Sequence, residues 1–155
     1  MQLLLDAAYA TAVFTLVSLG LFVVLGLMNI INLAHASFMA LSGYSLLTAT
    51  GRGIGFFPAA AVALCATLVV GAIVERIVVR RLYGRHIDDT ILATWGVSLI
   101  VVQALTLAYG RTTLSVALPL PGSVVVAGEH LSLYRIFVIV SVVALVAIVG
   151  AVTHF

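Results

Sequence analysis

Residues 9–47 read YATAVFTLVSLGLFVVLGLMNIINLAHASFMALSGYSLL, without one formal charge. A spanning helix needs about 20 mostly apolar residues, so this run approaches the length of two. Near its middle lie Asn29, Asn32 and His35. In a bilayer a polar amide or imidazole is costly unless something hydrogen-bonds it. Their position between two membrane-length segments points to a transport pathway or to a packed polar seam.

The rest of the chain has the same character. It is 64% hydrophobic and 8% charged over 155 residues, with a mean hydropathy of +1.32. A soluble domain of this size cannot bury so much apolar surface, which makes the chain an integral membrane protein. All seven basic residues are Arg and the net charge is +2. That excess is too small and too localised for a nucleic-acid partner. Cys65 is the single cysteine and sits in an apolar run, so no disulfide or CxxC metal site is expected. The N-terminus carries Asp6 where a cleavable signal would be basic, and reads as the start of a retained helix.

Five segments approach spanning length: about Tyr9–Met28, Ala34–Thr50, Phe56–Val74, Ile91–Tyr109 and Leu133–Val152. The second is short and rich in small residues, and either spans or re-enters. None alternates polar and apolar residues with period two, which argues against a membrane β-barrel. The predicted class is all-α, a polytopic membrane protein of about five transmembrane helices. Gly51, Gly53 and Gly55 separate the second segment from the third, with Pro58 suited to a first helical turn. Between the fourth and fifth, Ser123–Ala127 and His130–Leu133 flank Gly128-Glu129 and predict a short extracytoplasmic β-hairpin.

Charge predicts orientation. Arg76, Arg80, Arg81 and Arg85 cluster with Glu75 between the third and fourth segments, and Arg-rich short loops stay in the cytoplasm. Glu75 and these arginines are therefore expected to set topology, to contact lipid headgroups, or to meet a cytoplasmic partner. Full crossings then place Asn29–Leu33 near the cytoplasmic side and Gly110–Ser132 outside. Ala36, Ala40 and Gly43 follow a spacing of four and three, a small-residue face suited to close helix packing. Ser37 joins Asn29, Asn32 and His35 as a candidate for the pathway or seam. No metal is expected at His35, because no second ligand lies at helical spacing. An intramembrane hydrolase is disfavoured: Ser37 and His35 are two apart and point away from each other on a helix. H-E-x-x-H, G-x-S-x-G and P-loop patterns are absent.

The run Met28-Asn29-Ile30-Ile31-Asn32-Leu33-Ala34-His35-Ala36-Ser37-Phe38, continuing to Gly43-Tyr44, resembles the signature of bacterial branched-chain amino acid ABC transporter permeases. Val74-Glu75-Arg76, Arg80-Arg81-Leu82-Tyr83-Gly84-Arg85 and Asp88-Asp89-Thr90-Ile91-Leu92-Ala93-Thr94-Trp95-Gly96-Val97-Ser98 resemble its next stretches, in family order. The Leu-Tyr-Gly-Arg and Ala-Thr-Trp-Gly-Val-Ser elements also look like the urea-transporting branch. The resemblance covers roughly residues 8–122. Ala36 stands where the family usually has Gly.

The resemblance implies a multi-pass permease subunit in a bacterial inner membrane, without a cofactor. It implies a second permease subunit, cytoplasmic ATPase subunits and an extracytoplasmic substrate-binding protein as partners, besides lipid. Substrate stays open between branched-chain amino acids and urea or short amides. Family permeases are about twice as long, and their later half carries the loop that docks on the ATPase. Residues 1–155 thus read as a partial transmembrane domain, its second half absent, and an inactive truncated fragment is one reading.

Overall fold

A computed structural model describes residues 2–28, 30–111, 114–116, 122–126 and 129–153. The helices are α1 (Gln2–Met28), α2 (His35–Gly51), α3 (Phe56–Ile77), α4 (Ile87–Tyr109) and α5 (Leu133–Thr153). A two-stranded antiparallel hairpin, β1 (Ser123–Val126) with β2 (Glu129–Ser132), precedes α5. The all-α class with a short hairpin therefore holds. Glu129, expected in the turn, instead pairs with Val126 as the first residue of β2.

Among the described residues, four helices are long and apolar enough to cross a membrane: Leu3–Gly26, Phe56–Arg81, Ile87–Tyr109 and Leu133–Ala151. This is one fewer than the five expected, because α2 has 17 residues. At about 1.5 Å per residue it covers about 25 Å, less than the about 30 Å hydrocarbon layer. The spanning helices are apolar around their circumference, as lipid contact requires. Phe14 is 71% exposed and Phe22 67%.

The chain divides into two compact units. One joins residues 1–23 to residues 118–155. In it, Arg135 in the first turn of α5 pairs with Asp6 in α1 and lies over the Tyr9 ring, 5.9 Å from its centroid. This contact brings the beginnings of α1 and α5 together. The hairpin leads into α5 through a bond from the Leu133 N–H to the Gly122 carbonyl, 3.1 Å.

The other unit, residues 24–117, carries α2, α3 and α4. α2 packs on both α3 and α4, so its start, the end of α3 and the start of α4 lie at one end. Ala49, Ala59 and Ala63 are buried, and Ala59 is wholly inaccessible, so small side chains supply the closest contacts. Three hydroxyls of α2 answer to their own helix: Ser45 donates to the Leu41 carbonyl, Thr48 to Tyr44 and Thr50 to Leu46. Such back-bonding lets a polar-looking helix sit in an apolar setting. Gly110 ends α4 with φ 78°, a conformation open to glycine, and its N–H reaches the Thr106 carbonyl at 2.9 Å.

Candidate functional site

The backbone leaves helical geometry between α1 and α2, and Asn32, Leu33 and Ala34 turn into α2. Irregular backbone at membrane depth persists only where its polar groups find partners. Asn32 supplies two. Its Oδ1 accepts the Ala34 N–H at 3.0 Å, and its carbonyl accepts the His35 N–H at 3.3 Å. Ser37 is buried and donates its hydroxyl to the Ala34 carbonyl at 2.7 Å.

The remaining support comes from α4. Thr94, 2% exposed, accepts the Leu33 N–H on Oγ1 at 3.2 Å. The same oxygen lies 3.1 Å from the Ile31 carbonyl and 2.8 Å from the Thr90 carbonyl. One hydroxyl has one proton and two lone pairs, so it can hold Leu33 while donating to either carbonyl. Thr94 thus ties the turn before α2 to the second turn of α4. Among the described residues, the hydrogen bonds between elements at this turn come from Thr94, not from Asn32 or His35.

Asn32 and His35 face a cavity of about 660 Å³, whose walls come from the turn, α2, α3 and α4, with Val24 of α1 and Val79 beyond α3. Ile30, Phe38, Met39, Leu68 and Val97 make much of the wall apolar. Thr94 lines it too, and so does Glu75 from the last turn of α3. Sequence reasoning placed Glu75 with the arginine cluster; the fold turns it toward the Asn32–His35 cavity. Among the described residues, neither the His35 ring nor the Glu75 carboxylate has a hydrogen-bonding or ionic partner. The cavity thus combines an apolar wall, one carboxylate and polar donors.

A second cavity of about 570 Å³ lies toward the other end of α2. Ala40, Gly43, Tyr44 and Leu47 face it from α2, and Thr106, Gly110 and Arg111 from the end of α4 and beyond. The Tyr44 and Tyr109 rings are 4.6 Å apart, and the Tyr109 hydroxyl is 2.6 Å from Thr48 Oγ1. Since Thr48 already donates to Tyr44, Tyr109 is the donor in that bond.

The other expected residues distribute as follows. Asn29 lies outside the described residues. Ala36 and Gly43 are exposed, and a Cβ added to Gly43 would meet nothing within 4 Å. Within this chain the buried residues of α2 are Ser37 and Ala49. Arg76, Arg80, Arg81 and Arg85 are all exposed, and none forms a salt bridge among the described residues. Arg85 also borders a smaller cavity of about 380 Å³ with Ile30 and Thr90. No cluster of metal-binding side chains occurs among the described residues.

Thr94 and the cavity position of Glu75 were missed from sequence. The one available signal was that Thr90 and Thr94, four apart, share a helical face.

Comparison with known families agrees with this architecture. The family model described as the branched-chain amino acid transport system permease component matches residues 3–154. The chain belongs to that family. It is a multi-pass membrane protein and a transporter component rather than an enzyme. No curated protein and no solved structure matches it.

Proposed function

We propose that the chain is a permease component of a binding-protein-dependent ABC importer for branched-chain amino acids, working in a bacterial inner membrane. The observation that carries the reading is the cavity at the start of α2, in a chain of this family. Its Phe38, Met39, Leu68 and Val97 wall suits an aliphatic side chain, while Asn32, His35 and Glu75 offer polar contacts. In this reading, ATP binding and hydrolysis on separate subunits rock this permease against a second one. A soluble binding protein delivers substrate from outside, with the segment from Gly110 to Ser132 as part of its landing surface.

The test is uptake into proteoliposomes holding the assembled permease pair and ATPase, with the binding protein added outside. ATP-dependent accumulation of leucine, isoleucine or valine is the expected result. Uptake of urea without leucine would assign the chain to the amide-transporting branch. Absence of ATP-dependent uptake of either would refute the importer reading.

A further inference from the structure

We infer that the cavity at the start of α2 recognises both charges of an amino-acid zwitterion, Glu75 taking the ammonium and Asn32 with His35 taking the carboxylate. The inference rests on the importer reading and assigns the substrate's charged groups to residues. An amino acid enters a membrane path carrying two opposite charges, and each is costly in an apolar setting unless paired. The cavity holds an uncommitted group for each.

Glu75 is half-buried and has no ionic or hydrogen-bonding partner among the described residues. Arg76, Arg80 and Arg81 are close in sequence, yet all are exposed and none lines the cavity. A carboxylate in the last turn of a helix also opposes the helix dipole, so Glu75 does not serve the stability of α3. The same dipole adds to its attraction for a cation.

Asn32 has committed its Oδ1 to the Ala34 N–H, which leaves the Nδ2 protons as its remaining donors. Nδ2 has no partner among the described residues, and the His35 imidazole adds at least one N–H. His35 opens α2, whose first turn lacks a side-chain cap, so the positive end of that dipole favours an anion. The start of α2 and the end of α3 thus present opposite polarity to one space. A neutral amide such as urea would leave the Glu75 charge unmatched.

The experiment uses the assembled permease–ATPase complex in nanodiscs, without binding protein, and saturation-transfer NMR, which reads weak binding. The probes are leucine, 3-methylbutylamine, which lacks the carboxylate, and 4-methylpentanoate, which lacks the ammonium. Glu75→Gln is expected to weaken leucine and 3-methylbutylamine at least about tenfold, and to leave 4-methylpentanoate within about twofold. Asn32→Asp keeps the acceptor for Ala34 but replaces the donor with a negative charge. It is expected to weaken leucine and 4-methylpentanoate and to spare the amine.

Equal loss of all three ligands in Glu75→Gln would overturn the assignment in favour of a structural or partner contact. So would unchanged binding. If Glu75→Gln does not assemble, Asn32→Asp decides alone: any pattern other than selective loss of the carboxylate-bearing ligands overturns the inference. A wild-type complex that transports leucine while the variants keep its selectivity removes only the residue assignment. A wild-type complex that neither binds nor transports leucine removes the importer reading as well.

Discussion

Replacing Thr94 by Val tests whether the turn before α2 hangs on one hydroxyl. Val keeps the shape of Thr but has no oxygen. The change strips the Leu33 N–H of its acceptor and removes the one proton shared between the Ile31 and Thr90 carbonyls. Each intramolecular hydrogen bond contributes about 0.5–1.5 kcal/mol net. Interhelical bonds in membrane proteins average nearer 0.6 kcal/mol. Thr94→Val should therefore destabilise the protein by about 1–2 kcal/mol, a factor of roughly 5–30 in the unfolding equilibrium. Trp95, the single tryptophan, follows Thr94 directly, so its emission during denaturant titration in mixed micelles gives the readout. Thr94→Ser supplies the control, because it keeps Oγ and loses only a methyl. Amide hydrogen exchange at Leu33 separates the two losses. Exchange should accelerate in Thr94→Val and stay near wild type in Thr94→Ser. Unchanged Leu33 exchange in Thr94→Val, or equal acceleration in both variants, would show that the hydroxyl does not hold the turn.

Other substitutions follow from the same geometry. His35→Leu should shift stability by less than about 0.5 kcal/mol, since the ring has no hydrogen-bonding or ionic partner among the described residues, while leucine uptake by the assembled transporter falls; thermal unfolding with normal uptake would contradict this. Tyr109→Phe should cost about 0.5–1 kcal/mol, because it removes the bond to Thr48 but leaves the ring on Tyr44. Asp6→Asn should cost less than about 1 kcal/mol, fading with added salt, as expected of a half-exposed ion pair; a large, salt-insensitive loss would argue for a buried role. For topology, single cysteines are better placed at Tyr83 and Leu114, in a Cys65→Ser background, than at Gly84, whose φ of 78° strains any side chain. An impermeant thiol reagent should label Leu114→Cys and spare Tyr83→Cys in cells with an opened outer barrier; the reverse pattern would invert the chain.

The helices were legible because apolar length is a local property. The segment starting at Phe56 and the one ending at Tyr109 were read at the residues where α3 begins and α4 ends. The hairpin was legible from its strand-forming flanks, although Glu129 joined a strand rather than the turn. The membership of the cavity was less visible. Asn32 and His35 stood out as polar groups in an apolar run, but Glu75 looked like part of a charged loop. Its direction depends on how the end of α3 is rotated against α2, which no local pattern encodes. Thr94 was hidden for a similar reason: it serves Leu33 from 61 positions away. A threonine in a membrane helix looks ordinary when it can bond its own preceding turn.

α2 has a cavity on each of two faces. His35, Phe38, Met39 and Ser42 border one, and Ala40, Gly43, Tyr44 and Leu47 border the other. Both sets step by three, four and seven, each a stripe along the helix, and Leu46, in line with the first stripe, also borders the second cavity. The second stripe is the first displaced by five residues, which at 3.6 residues per turn is an angular offset of about 140°. The stripes also overlap in height, since Ala40 lies below the top of the first and Ser42 above the base of the second. In its geometry α2 resembles less a plug of fixed thickness than the leaf of a revolving door. Sliding it along its axis by a whole turn would carry each stripe along its own side without exchanging them. Turning it about that axis would sweep one stripe toward the place of the other, so twist, rather than stroke, is the motion to which the two chambers would respond.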